Sequence, residues 1–354
     1  MRTLTAMIFT LFACAAYGAD FQDILPEQVK SADRGCEWLI KAQNADGSWG
    51  MDLKTTPNVA ATAVAGLALL SSGNTDREGP SPKIVKSLKS CVQYLMDRGK
   101  KARPGRDIAD GEQSEVQTYV GVYAPTFYSV VFLSQIYGNR ALDLPSDTYG
   151  EMKDVLTKLC DTISKSQESD GSWHKDTYSS LQATCLAWMA LRSANSSGIQ
   201  IRHATVEKTL KFIRSQYNPG TKLFDGSRAN NNTIYASASA IRVIYGMGLW
   251  NEREGKDCGK AFINLVARGG MSQQFLTITG EDYPAALFVT HALIKQGGDN
   301  WQAWFTYVRT KLLKFQNADG SWTATSCLQG RTFATACSVL CLQTPYRLLP
   351  LQDL

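Results

Sequence analysis

The chain has 354 residues, 44% of them hydrophobic and 19% charged, with a formal net charge of +5. This is ordinary globular composition, and the length is enough to bury a large core. So small a positive surplus argues against a nucleic-acid partner, and no DNA- or RNA-binding motif accompanies it.

In chain order, the first feature is Arg2, followed by an apolar stretch from Leu4 to Phe12 and small residues up to Ala19. That is the layout of a secretory signal peptide cleaved after Gly18 or Ala19. Residues 1–19 are therefore expected to be a signal, and 20–354 one domain, although length alone would allow two. A lipoprotein signal is the alternative, because Leu11-Phe12-Ala13-Cys14 resembles a lipobox, with Phe12 unusual there. No other stretch supplies the roughly 20 apolar residues that span a bilayer, so no transmembrane segment is expected in the mature chain. The expected location is secreted or periplasmic, with lipid anchoring through Cys14 as the variant. The remaining cysteines are Cys36, Cys91, Cys160, Cys185, Cys258, Cys327, Cys337 and Cys341. Export permits disulfides, but a chain this rich in core residues does not need them. Cys185, Cys337 and Cys341 lie among Ala, Leu and Thr and read as small buried hydrophobes. No CxxC pair suggests zinc.

Self-similarity dominates the rest. Gln43-Asn44-Ala45-Asp46-Gly47-Ser48-Trp49 recurs unchanged at Gln316 to Trp322, and Gln167-Glu168-Ser169-Asp170-Gly171-Ser172-Trp173 is a third copy. A weaker fourth starts at Gln216 and reaches Asp225-Gly226-Ser227 after an insertion. Eroded copies over Ile84–Arg98 and Cys258–Gln273 fill the remaining gaps, making six units. Each opens with an amphipathic helix, such as the one carrying Trp38, Leu39 and Ala42. Asp-Gly then turns the chain, and a Trp pins the turn. A second helix follows, almost wholly small and apolar, as in Ala60 to Leu67, Ala183 to Trp188 and Ala334 to Leu340; that composition implies burial on every side. Such helix pairs stack into an open solenoid or close into a ring.

The Gln-x-x-Asp-Gly-Ser-Trp blocks resemble the QW repeats of squalene and oxidosqualene cyclases and the related repeats of protein prenyltransferases, over almost the whole mature chain. The ending from Leu342 to Pro350 is similar to the tail of uncharacterised bacterial exported proteins carrying this repeat. The resemblance implies an all-α fold, an α/α toroid with six inner and six outer helices of terpenoid cyclase/protein prenyltransferase type. Closure of the ring comes from the resemblance; the periodicity shows only repeated helix pairs.

In such a ring, residues between each turn and its inner helix would line one mouth. They are Glu112, Glu115 and Tyr123; His174 and Tyr178; Arg228, Asn232 and Tyr235; Glu281, Asp282 and Tyr283; and Arg331. Converging polar and aromatic groups are what a ligand site requires. Glu281 and Asp282 are the candidate catalytic pair, as a general acid or oxyphilic-metal ligands. The plainer reading makes Asp282 an N-cap with Pro284 in the first turn. His174 offers a base or ligand, against a plain loop position; His291, on the apolar Phe288–Ile294 stretch, reads as core and His203 as surface. The basic run Arg98 to Arg106 reads as a solvated loop, and Phe127, Tyr128, Phe132 and Tyr137 as packing residues or a cavity lining.

The catalytic signatures of the resembling enzymes are missing. There is no Asp-x-Asp-Asp run; Asp257 and Cys258 are adjacent where the prenyltransferase zinc pair is spaced; and no thioester motif, Walker loop, nucleophile elbow or HExxH is found. No metal or cofactor is called for. Two function classes remain. One is a binding or scaffold module of the cell envelope, holding an isoprenoid, a glycan or another apolar or polymeric ligand, or an envelope protein. The other is an enzyme, either a terpenoid-type cyclase or a polysaccharide lyase or hydrolase using the mouth carboxylates. The missing motifs favour the first, though only modestly, because fold does not dictate function. A cyclase requires a deep aromatic cavity, a glycan-active protein an exposed aromatic and charged groove, and a scaffold a plugged centre.

Overall fold

The computed structural model describes residues 24–73, 81–109, 114–173, 178–226, 233–269, 271–277, 279–346 and 349. The expected signal at 1–19, and with it Cys14, lies outside these, as do Glu112, His174, Arg228 and Asn232. Among the described residues the regular structure is helical apart from one short hairpin and isolated bridges. The outer helices are α1 (Pro26–Ala42), α3 (Pro82–Gly99), α6 (Ser146–Lys165), α8 (His203–Ser215), α10 (Arg253–Val266) and α12 (Gly298–Phe315). They alternate with the inner helices α2 (Val59–Leu70), α5 (Ala124–Asn139), α7 (Ser180–Ser196), α9 (Thr233–Gly246), α11 (Asp282–Gln296) and α13 (Thr332–Gln343). A short α4 (Glu115–Tyr119) precedes α5, and strands β1 (Tyr217–Asn218) and β2 (Leu223–Phe224) pair antiparallel between α8 and α9.

The two helix types follow from their composition. In α1 one stripe is buried, including Cys36, Trp38, Leu39 and Ala42, while Glu37 and Lys41 stay in water. In α2 every residue is buried. A helix without a polar face is stable only where other helices enclose it. The inner helices accordingly pack in the order α2, α5, α7, α9, α11, α13 and back to α2, which closes the ring. The fold is an α/α toroid.

The repeated turn explains both pairing and closure. Asp46 Oδ1 accepts from the Ser48 amide at 3.0 Å and the Ser48 hydroxyl at 2.6 Å, and Asp170 and Asp319 hold Ser172 and Ser321 in the same way. Trp49, Trp173 and Trp322 are fully buried, and each indole N–H donates to a carbonyl of its own outer helix: Leu39, Ile163 and Leu312 at 2.7, 3.1 and 2.8 Å. The Trp backbone amides donate to hydroxyls in the first turns of the inner helices, Thr62, Thr184 and Thr335. The repeated Gln reaches the next unit. Gln43 donates to Ser87 O at 2.9 Å, Gln167 to Thr205 O at 3.0 Å, and Gln316 to Ser31 O at 2.8 Å. Ser31 belongs to α1, so the last unit grips the first with the bond that joins neighbours elsewhere. The turn glycines have φ of 86°, 96° and 94°, which only glycine adopts without strain. A Cβ there would also lie 2.3 to 2.5 Å from a carbonyl of the next outer helix, with Arg34 of α1 facing Gly320.

The eroded units keep the geometry with other residues. Phe224 takes the Trp position of the fourth unit, its amide donating to Ser237 Oγ at 2.9 Å. Ile108 does so in the second, donating to Thr126 Oγ1 at 3.3 Å. Gln28 Nε2 to Leu342 O at 2.6 Å, and a Ser71 to Gln343 side-chain bond, complete the seam. Tyr128 of α5 meets Phe333 of α13 edge-on at 5.8 Å, past the intervening α2. Phe127 packs on Trp173 and Tyr137 on Tyr149, so these aromatics serve packing. In the basic run, Lys100 pairs with Asp97 and Glu151. The eight cysteines after Cys14 are free, and only Cys327 among them is not buried. Among the described residues no helix is long and apolar enough to cross a membrane, and no cluster of His, Cys, Asp and Glu is arranged for a metal ion.

Candidate functional site

Glu281 and Asp282 sit where the loop after α10 enters α11, and both are buried, at 5% and 2% exposure. Helix α11 starts at Asp282, with Glu281 in the N-cap position and no side-chain cap bond from it. The N-cap expected at Asp282 is therefore not formed. Its carboxylate reaches backward and accepts from the Leu276 amide at 2.7 Å and from the Tyr235 hydroxyl at 3.3 Å. Asp282 thus ties the fifth unit's turn to its helix, in a unit lacking the repeated Asp-Gly-Ser-Trp. Glu281 is left for other work. Its Oε1 accepts from the Tyr178 hydroxyl at 2.8 Å, across the ring from the entry to α7. The Cys327 thiol and the Tyr119 ring adjoin the same group: Tyr119 stacks edge-on against Tyr178 at 5.7 Å and bonds Cys327.

Burial dominates the electrostatics here. It pushes Glu281 up to about 7, against the opposing hydrogen bonds from Tyr178 and Cys327. It pushes Asp282 up to about 7 as well, against the Leu276 amide and Tyr235, with the charge of Glu281 adding to the rise. Carboxyl groups titrating near neutrality can donate or take a proton where ordinary carboxylates are fully ionised.

Glu281 opens on a recess lined by Tyr119, Gln182, Tyr235, Ser239 and Phe288. The recess is partly open, with a volume of about 20 Å³, enough for about one water. Drug-sized ligand pockets run to several hundred Å³. Gln182 is 4% exposed, and neither end of its amide has a hydrogen-bond partner among the described residues.

The structure brings together Glu281, Asp282, Tyr178 and Tyr235, from three different units. It places the other expected lining residues elsewhere. Tyr283 donates to Thr323 O at 3.2 Å and fastens the sixth-unit loop. Glu115 accepts from the Gln329 amide at 2.5 Å and holds the same loop from the other side. Tyr123 packs on Phe127 at the entry to α5. Arg331 lies on the seam, bonded to Asp52 at 2.6 Å and Asp319 at 3.1 Å with its guanidinium over Trp38. His291 is fully buried, and burial and the charge of Arg242 lower its pKa, so it is neutral. Sequence reasoning missed Tyr119, Gln182, Ser239 and Cys327. The one available signal was Gln182, a large polar residue in a run that is otherwise small or apolar.

No protein-family model matches the chain, and no curated protein sequence does. Solved structures do. A type II terpene cyclase from Scytonema superposes with a TM-score of 0.58 at 13% identity, over 92% of this chain and 100% of that one. Its variant holding geranylgeranyl dihydroxybenzoate gives 0.57 at 12%, over 91% and 98%. An α-1,6-mannanase from Salegentibacter, an inactive variant with two consecutive aspartates replaced by asparagine and α-1,6-mannotriose bound, gives 0.62 at 11%, over 91% and 99%. At these identities the likeness establishes the fold: this chain shares its α/α toroid with a terpene cyclase and a glycoside hydrolase.

Proposed function

We propose that the ring binds a glycan at the mouth where Tyr178, Glu281 and Tyr235 meet, with the Glu281 carboxyl as the group that shares a proton with the ligand. The observation that carries this reading is the Glu281 site itself: a buried carboxyl, held by Tyr178 and Cys327 and opening on a small recess where Tyr119, Tyr235, Gln182 and Ser239 stand among the apolar Val120, Pro284, Ala285 and Phe288. Aromatic faces beside neutral polar groups suit a sugar ring, which is apolar on its faces and hydroxylated at its edge. The mannotriose bound to the mannanase gives the reading a precedent on this fold. The cyclase reading has less support, because the Asp-x-Asp-Asp acid run of the squalene cyclases is missing from the sequence.

A specific observation favours hydrolysis as the second reading. Two consecutive carboxyl groups titrate near 7 here, and the mannanase variant lacking two consecutive aspartates is inactive. In hydrolysis Glu281 would protonate the leaving glycosidic oxygen while water adds to the anomeric carbon, and a second carboxylate must activate that water. Asp282 is committed to Leu276 and Tyr235, which weighs toward binding. The test is incubation of the protein with a panel of α- and β-linked oligosaccharides, following both binding and release of reducing ends. Binding without release supports the first reading; release abolished by Glu281→Gln supports the second; neither binding nor release refutes both.

The same proposal includes membership of the cyclase and prenyltransferase repeat family, supported by the three Asp-Gly-Ser-Trp turns and their shared bonding. It also includes one toroid domain over 20–354 and export directed by residues 1–19, supported by the Arg2, Leu4–Phe12 and Ala19 layout. Mass spectrometry of the secreted chain would test the last, with a new terminus at Ala19 or Asp20 as the expected result.

A further inference from the structure

Gln182 stands two residues into α7; the residue is 4% exposed and both polar atoms of its amide are buried. Both its Nε2 donor and its Oε1 acceptor lack partners among the described residues. Around it the Ser239 hydroxyl donates to Tyr235 O at 3.0 Å, the Tyr235 hydroxyl to Asp282 and the Tyr178 hydroxyl to Glu281, and none of these groups bonds the amide. A buried amide with two unmet ends is costly to leave so, and native proteins rarely do. The amide lines the recess on which Glu281 opens, and that recess has room for about one small polar group.

We infer that Gln182 is the ligand-recognising group of the mouth and that it reads the edge of a vicinal diol. This rests on the glycan reading above and names the part of the glycan that enters. One ligand hydroxyl accepts from Nε2 inside the recess, and the adjacent hydroxyl donates to Oε1 at its rim. The fit follows from the inventory. A primary amide has one donor face and one acceptor side by side, and two neighbouring hydroxyls present the complementary pair. A recess of this volume excludes a whole ring, so the ring body stays outside, against Tyr119 and Phe288. An anionic ligand is disfavoured by Glu281 and Asp282, whose ionised forms would repel it. A site built to hydrogen-bond a hydroxyl discriminates strongly against an analogue lacking it, because the buried amide is then left unpaired again.

The experiment uses the full mature chain and ligand-observed NMR. The probes are the methyl hexopyranosides of the gluco, manno and galacto series, with trans-cyclohexane-1,2-diol and cyclohexanol as competitors. The expected result is that at least one hexoside binds, that the diol displaces it, and that cyclohexanol is at least about tenfold weaker than the diol. Gln182→Met, close to isosteric, should remove that tenfold preference and weaken the hexoside, with circular dichroism showing the helices intact. Should Gln182→Met not fold, the diol-to-cyclohexanol ratio on the unmodified chain still decides. Hexoside binding with equal competition by diol and cyclohexanol overturns the role of Gln182 while leaving the glycan reading intact. Hexoside affinity unchanged in a folded Gln182→Met variant does the same. No binding of any hexoside overturns both.

Discussion

Replacing Glu281 by Gln should make the protein more stable at pH 8 and leave it nearly unchanged at pH 4.5. The Gln retains a carbonyl oxygen for the Tyr178 hydroxyl and loses the ionisation. In the folded chain burial raises the Glu281 pKa from an ordinary 4.5 to about 7. A group whose folded pKa is raised binds its proton more tightly in the native state. Its contribution is fully present below pH 4.5 and is lost as pH rises through 7. The difference of about 2.5 pH units corresponds to about 3 kcal/mol, at about 1.4 kcal/mol per unit. His291 works in the opposite sense: its lowered pKa makes acidification below its ordinary 6.5 destabilising. The wild-type profile mixes these contributions, so the informative quantity is the difference between variant and wild type. Urea unfolding followed by tryptophan fluorescence at pH 4.5, 6, 7 and 8 measures it. The expected difference is near zero at pH 4.5 and approaches about 3 kcal/mol in favour of Glu281→Gln at pH 8. A difference that stays flat across this range would refute the claim that Glu281 is held neutral by burial.

Other outcomes follow from the same structure. Tyr178→Phe removes a hydrogen bond that lowers the Glu281 pKa, so the carboxyl titration, read by infrared spectroscopy, should move further up; no movement would remove Tyr178 from the site. Gly320→Ala places a Cβ 2.5 Å from Arg34 O at a φ of 94° and should cost about 3 kcal/mol. Gly105→Ala, also at positive φ but with open space around it, should cost only about 1 kcal/mol, and equal losses in thermal melts would argue against the close approach. Trp322→Phe leaves Leu312 O without its indole donor and should cost about 1–2 kcal/mol, as Phe224 shows a ring without that bond is tolerated at this position. Gln182→Met removes two unmet polar ends and should be neutral or stabilising by up to about 1 kcal/mol without ligand; a loss above that would mean the amide is bonded in solution.

The repeat was legible in the sequence because its chemistry is local. Asp46 holds Ser48 two residues away, and Trp49 reaches a carbonyl ten residues back, so a short string of letters carries the turn. The small, apolar inner helices were legible too, since composition alone says that no side of Val59–Leu70 faces water. Closure was not, although the bond that makes it uses the Gln of the motif; Gln316 reads the same whether its partner is a seventh unit or Ser31 of the first. The site was legible only as a list of residues entering the inner helices. That Tyr178 faces Glu281 across 103 positions, that Asp282 turns back to Leu276 and leaves Glu281 free, and that Arg331 goes to the seam depend on which helices the ring sets side by side. The raised Glu281 pKa and the unmet Gln182 amide depend on enclosure by several units at once. Burial of a single side chain is a property of the whole ring, and no window of the sequence contains it.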